Sequence, residues 1–301
     1  MTGKITRDIL ESFRSCKYKG YLKLMGQHGT KSDYEYLLLD MRAEVQVAAI
    51  KKILTGKAAE EISRNIVLTT SALNQGAFFV LEATLEDDLV SLVFDGLKKM
   101  DGPSKLGDFH YAPILFHEGE KVGKELRLLL AMYGVLLSEL QGKTSTTGII
   151  YHGKNCRATE LRLTPDLRNA QRLLEEVKGL ASAEAPLRLM LNGHCQVCEF
   201  RQRCHAQAVQ QDNISLLRGM SEKEVKSYAR KYILTVTQLA HTFRPRRKGK
   251  RAPKKDRRYH ALQALSIRDK KIYVFGTPEL PDRPYGSTSM SRAFPMRDSF
   301  T

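Results

Sequence analysis

Residues 192–204, "NGHCQVCEFRQRC", hold three of the five cysteines in the chain, Cys195, Cys198 and Cys204, spaced C-x2-C-x5-C. No other stretch constrains the fold as much. Three thiols this close cannot form an even set of disulfides, and metals or clusters that favour sulfur usually take four ligands. The fourth has to arrive from elsewhere in the chain, so the fold must bring two distant segments together. Two cysteines remain. Cys156 lies in "HGKNCRATEL" between two predicted strands, where a partly buried core thiol is the expected reading. Cys16 ends the first predicted helix in "ESFRSCKYKGYLKL".

Composition limits the setting. A chain of 301 residues has room for one large domain or two smaller ones with real cores. Its 42% apolar and 27% charged content is that of a globular protein. No apolar run reaches the roughly 18 residues a membrane span needs. The start, "MTGKITRDILESF", lacks a signal peptide's apolar centre. The expectation is a cytoplasmic protein without a membrane partner, in which clustered cysteines bind metal more often than they pair. Lys and Arg number 49 against 33 Asp and Glu, a net +16. That excess suits a polyanion, most simply nucleic acid; a solubilising surface is the alternative. The densest stretch is 243–258, "FRPRRKGKRAPKKDRR", which has no apolar periodicity and reads as an exposed or disordered segment. Its candidate phosphate contacts are Arg244, Arg246, Arg247, Lys248, Lys250, Arg251, Lys254 and Lys255.

Periodicity supplies the elements. A helix is expected over 5–16, capped by Thr6, with Ile9, Leu10 and Phe13 on one face. Helices continue over 34–56 and 57–65. Strands are expected near 76–83, 88–95 and 109–117, with Gly102 and Pro103 marking a loop between the last two. A strongly apolar helix follows from Lys124 to about Gln141, then a hairpin over "TTGIIYHG" and "RATELRLT", then a helix over 166–178. Residues 213–240 read as short helices, and "HALQALSIRDKKIYVFG" as a helix-to-strand or strand-pair element. The order implies an α/β (α+β) fold with one central mixed sheet flanked by helices and a small helical C-terminal subdomain.

With the cysteines placed on these elements, the pattern resembles the RecB-like nucleases that carry an iron–sulfur clasp, related to the adaptation nucleases of CRISPR systems. In that family one cysteine near the N-terminus and a C-x2-C-x5-C group near the domain's C-terminal end hold a [4Fe-4S] cluster. Cys16 with Cys195, Cys198 and Cys204 matches that layout, and the resemblance covers residues 5 to about 206. It implies a restriction-endonuclase-like domain of the PD-(D/E)xK superfamily over 1–210. A cluster on these thiols would close a loop of about 180 residues, with Lys17, Arg201 and Arg203 favouring thiolate charge. Zinc is the competing ligand, although four-cysteine zinc sites usually come as two short C-x2-C pairs. A thiol group without metal is the third reading.

The resemblance also implies a nuclease centre: an acid on one strand and an acid-x-Lys pair on the next, holding Mg2+ or Mn2+ and orienting a water. Asp95, ending "LVSLVFD", fits the first acid; a turn residue before Gly96 is the other reading. Where relatives carry Y-x-P-V-E-Y-K, this chain has "YAPILFH", 111–117, with Leu115 for the acid and His117 for the lysine. Asp108 before the strand and Glu118, Glu120 and Lys121 after it are possible substitutes, with Asp95 and Glu118 as metal ligands; a solvated charged loop is the alternative. A Gln-x3-Tyr motif of many relatives is reduced to Leu129 and Tyr133, which reads as core packing. Two functions stay open: metal-dependent cleavage of DNA, or a binding module with the same fold and cluster that holds single strands or duplex ends without cutting. A zinc-stabilised scaffold is a third.

Residues 216–240 resemble a helix-hairpin-helix, with Tyr232 at the position of the usual glycine. This gives a helical segment over 211–242, then a basic linker and the start of a next domain over 243–284. In longer relatives a DEDD-type exonuclease domain begins soon after a stretch like "TPELPDRP", 277–284. The remaining tail is Ser-rich and aperiodic. One allowed codon choice for 284–301, read one base out of frame, gives VRIYFDVEGFPDEGFVY, an apolar strand leading into Asp-x-Glu. The expectation is a one-base deletion after Arg283 and a disordered, out-of-frame tail over 285–301.

Overall fold

The computed structural model describes residues 3–55, 58, 61–181, 186–244 and 259–273. Helix α1 (Arg7–Ser15) starts at Thr6, whose side chain accepts the Ile9 amide at 3.4 Å. It ends at Cys16, where an extended backbone (φ −156°) breaks the helix and opens α2 (Lys17–Leu24). Gly20 lets the two helices close: a Cβ there would stand 2.7 Å from the Phe13 Cα. A capping box between Ser32 and Glu35 then starts α3 (Asp33–Leu54).

Next come β1 (Ile62–Arg64), α4 (Thr70–Asn74), β2 (Phe79–Glu86), β3 (Ser91–Ser104) and β4 (Gly107–His117). They are followed by α5 (Lys124–Gln141), β5 (Thr147–His152), β6 (Arg157–Arg162) and α6 (Thr164–Ala181). The strands form one six-stranded sheet in the order β1-β2-β3-β4-β5-β6. β1/β2 and β4/β5 are parallel and the other pairs antiparallel, so the sheet is mixed and the class is α/β. α5 is the crossover that lays β5 parallel to β4, as a parallel pair requires. One face packs Leu10, Phe94, Leu115, Leu130, Ile150 and Leu174 beneath α1, α5 and α6. The other packs Val45, Ala49 and Ile53 of α3 on Leu81, Ile114 and Phe116. α5 lies between the sheet and α6, which accounts for its apolar residues on every side.

Two expectations fail here. The helix expected over 57–65 is replaced by β1 at 62–64, a three-residue strand whose place is set by pairing with β2 rather than by local periodicity. Pro103 lies inside β3 rather than in a loop, at a register shift between Asp101 and Ser104 where a missing N–H costs no ladder bond. The turn itself falls at Lys105 and Leu106.

Beyond the sheet, α7 (Arg201–Gln210), α8 (Glu222–Ala229), α9 (Val236–His241) and α10 (His260–Asp269) follow. Ile214, Leu217, Val236, Leu239 and Ala264 form a separate small core among the last three. Among helices of the described residues, none is long and apolar enough to cross a membrane.

Candidate functional site

Cys16, Cys195, Cys198 and Cys204 line one small cavity, walled by Tyr18, Leu189, Met190 and Phe200. Each thiol is placed by a different local device. Cys16 is the break between α1 and α2; Cys195 sits in a single 3-10 turn (Gly193–Val197); Cys198 is extended; Cys204 is on α7. The Asn192 side-chain amide reaches the Ser15 carbonyl (3.4 Å), and its backbone N–H donates to the Cys195 Sγ (3.3 Å), which ties the turn to the end of α1. Glu199, between two of the cysteines, accepts Lys19 at 3.1 Å and Lys23 at 2.8 Å from α2. Tyr18 donates to Gln207 on α7 (3.0 Å). The two ends of the sheet domain are therefore held together by packing and ion pairs.

The cavity favours the neutral form of Cys16, Cys198 and Cys204. Burial, then the neighbouring Cys198, Cys195 and Cys16, push the Cys204 thiol up to about 12. Burial likewise raises Cys16, against the Lys19 and Tyr18 amides at the start of α2, which favour its thiolate. Thiolates this close together would need a positive charge to offset them. Burial raises Cys198 too, with the Phe200 amide and Lys19 opposing it, and Arg203 opposes the rise at Cys204, but Lys17 turns away to pair with Glu176. The donor set, four thiols in an apolar pocket, fits a sulfur-ligated metal group. Among the described residues, no three His, Cys, Asp or Glu side chains form a group that could hold a metal ion as they stand.

Asp95 occupies the point where the sheet opens. The β3–β4 ladder begins at Gly96 opposite Ile114, and the β2–β3 ladder skips Glu82, which takes a left-handed φ of 53°. In that gap the Asp95 carboxylate accepts the Phe116 amide at 2.6 Å. Both its oxygens also accept Arg7 Nη1, at 2.6 and 2.8 Å, while Arg7 Nη2 donates to the Phe116 carbonyl at 3.2 Å. The chain of charges continues. Arg7 Nε donates to Glu11 (2.9 Å), Arg42 Nη1 to Glu11 (3.2 Å) and Arg42 Nε to Glu118 (3.1 Å), with His117 Nδ1 3.4 Å from Glu118. Burial alone would raise Glu118, but the His117 hydrogen bond and the Arg42 guanidinium hold it down at about 2. Burial opposes Arg7 as well, and Asp95 overrides it, so the guanidinium stays charged.

The sequence-predicted acids divide on this geometry. Asp95 and Glu118 share the network. Asp108 is exposed at the opposite end of β4, about 23 Å of extended chain from Leu115. Lys121 is exposed and joins no ion pair among the described residues. Glu120 turns to the Lys154 amide (3.0 Å). Leu115 is fully buried in the core and leaves no donor beside Asp95. Leu129 and Tyr133 are core residues too, with Tyr133 edge-on to Phe94.

Sequence reasoning missed Arg7, Glu11 and Arg42. Arg7 and Glu11 stand four apart on one helix face, and Arg42 lies on the sheet-facing side of α3, where an unpaired charge would be costly.

The hairpin at 230–235 has Tyr232 in the left-handed region (φ 59°) and 87% exposed, at the place where glycine was expected. Its amides are already used. Those of Leu234 and Thr235 donate to the Gln238 side chain, Val236 to the Asp212 carbonyl and Thr237 to the Asp212 carboxylate. A phosphate would have to displace Asp212. Of the candidate basic contacts, Arg244 is exposed; Arg246, Arg247, Lys248, Lys250, Arg251, Lys254 and Lys255 lie outside the described residues, as does the tail over 285–301.

No protein-family model matches the chain, and no curated protein matches it.

Proposed function

We propose that this chain is a DNA-binding module with a restriction-endonuclease-like fold, stapled by a [4Fe-4S] cluster on Cys16, Cys195, Cys198 and Cys204, in which the nuclease centre is closed. One observation carries the reading: both oxygens of Asp95 are taken by Arg7, with Leu115 where a second acid is needed. A divalent cation would have to expel a buried guanidinium to reach the carboxylate. Arg7 and Asp95 serve instead to pin α1 across the opening between β3 and β4. A bound cluster supplies a covalent tie between the two ends of the sheet domain. The four thiols converging on one cavity with apolar walls support it.

DNA is the proposed partner because the net charge of +16 is concentrated in the run at 243–258. Contacts of that kind are to phosphates, so affinity should fall steeply with salt and show little sequence preference. The hairpin, with its amides used internally, contributes side chains such as Arg230 and Lys231 rather than a phosphate nest.

A second reading has its own support. Asp95, Glu11 and Glu118 lie along one ionic network, so withdrawal of Arg7 and Arg42 would leave three carboxylates near one another. That is a nuclease gated by its own arginines. Fluorescence anisotropy and gel analysis of the same labelled single- and double-stranded oligonucleotides, with Mn2+ present, separate the two. Salt-sensitive binding with intact DNA is expected; fragments that vanish in Asp95→Ala favour the gated nuclease.

A further inference from the structure

The outer side of α3 carries an apolar stripe that faces solvent. Val45, Ala49 and Ile53 point at the sheet. At 3.6 residues per turn, Tyr36, Ala43, Val47 and Leu54 fall on the opposite side, a seam with the seven-and-four spacing of paired helices, while Ile50 packs against the sheet-facing cluster. Tyr36 is 56% exposed, Val47 69% and Leu54 37%. At the stripe's edge, Ala43, Val47 and Leu54 also border a shallow groove whose far wall is Arg64 and Glu82 of the sheet. The stripe runs for about 27 Å at 1.5 Å per residue, and a monomer gains nothing by leaving it in water.

Charge names the occupant. One flank of the stripe carries Asp33, Asp40 and Glu44 in its first half and Lys51 in its second. Asp40 and Lys51 make no ion pair to any other described residue. A helix laid parallel would set the acidic halves side by side. Laid antiparallel and centred between Ala43 and Val47, a second copy of α3 sets Tyr36 against Leu54 and the small Ala43 against Val47. Like flanks meet in that arrangement, so each Asp40 comes beside the Lys51 of the other copy, twice by symmetry. The Asp40–Lys51 pairing is self-complementary, as a two-fold interface has to be, and the two Glu44 side chains near the axis extend outward to solvent.

We propose that the outer face of α3 is a dimer interface between two copies of this chain, packed antiparallel with Asp40 and Lys51 paired across the two-fold axis. Sedimentation of the whole 301-residue chain, purified without oxygen, over a concentration series tests it. The wild type should be a dimer and Val47→Glu a monomer, with iron content and circular dichroism unchanged. Asp40→Lys should weaken association about tenfold or more by placing like charges together, and Asp40→Lys with Lys51→Asp should restore it. A wild type that stays monomeric at every concentration overturns the proposal and leaves the stripe to another partner. So does a Val47→Glu dimer, or a double reversal no stronger than the single one.

Discussion

Replacing Arg7 by methionine removes the one cation that pairs with the Asp95 carboxylate among the described residues. The Asp95 side chain is 11% exposed and that of Arg7 18%, so water can offset little of the loss. Asp95 would keep only the Phe116 amide, and Glu11 would keep only Arg42. Breaking one side of a buried ion pair costs roughly 3–5 kcal/mol. The surviving amide bond and the residual exposure put this case near the lower end, about 3 kcal/mol. In a domain of this size each kcal/mol moves the melting midpoint by about 2–4 °C, so a fall of roughly 6–12 °C is expected. Arg7→Met combined with Asp95→Leu should recover most of it, because an apolar pair of similar volume needs no neutralisation. Thermal unfolding of the wild type, both single variants and the double variant closes a cycle with an expected coupling of about 2 kcal/mol. A single-variant cost under about 0.5 kcal/mol, the level of an ordinary surface change, would refute the account of Arg7 as the pin of the β3–β4 opening. A double variant no more stable than the sum of the singles would refute it too.

Acid should find Glu118. Its carboxyl is held below its ordinary 4.5 at about 2, so the stability it contributes is present above 4.5 and is lost as pH falls toward 2; Glu118→Gln should flatten the unfolding midpoint measured across that window, and an unchanged slope would assign the acid sensitivity elsewhere. Gly29→Ala should loosen the cysteine loop, because its Cβ would stand 2.7 Å from the Glu199 carbonyl oxygen; iron retained per chain should drop, and full retention with unchanged stability would show that the contact does not hold the loop. Cys156→Ser, a buried thiol remote from the cavity residues, should keep all its iron. Neutralising the basic residues at 246–255 should lower DNA affinity and reduce the salt slope; an unchanged slope would place the contact surface on another part of the chain.

Local chemistry carried much of the fold. α1 with its Thr6 cap, α5 with its continuous apolar faces and the β5–β6 pair all follow from short-range pattern. β1 did not, because three residues hold no periodicity and the strand exists only through its pairing with β2. β3 runs well beyond the expected 88–95 because Gly102 and Pro103 are taken up by a bulge rather than a turn. The site was half legible. The convergence of the four cysteines on one cavity can be read from their spacing, since a cysteine stands out in any register. The acid network cannot, because Glu11 and Arg42 meet only once α1 and α3 close over opposite faces of the sheet edge, 31 positions apart. A charge on a buried helix face is the signal that could have flagged Arg42.

The most direct test is the metal content of protein purified without oxygen, with Cys16→Ser alongside. The account predicts brown protein carrying about four irons and matching sulfide per chain, and a Cys16→Ser variant that is colourless and less stable. Colourless wild-type protein with one zinc per chain, or iron that survives Cys16→Ser undiminished, would contradict it.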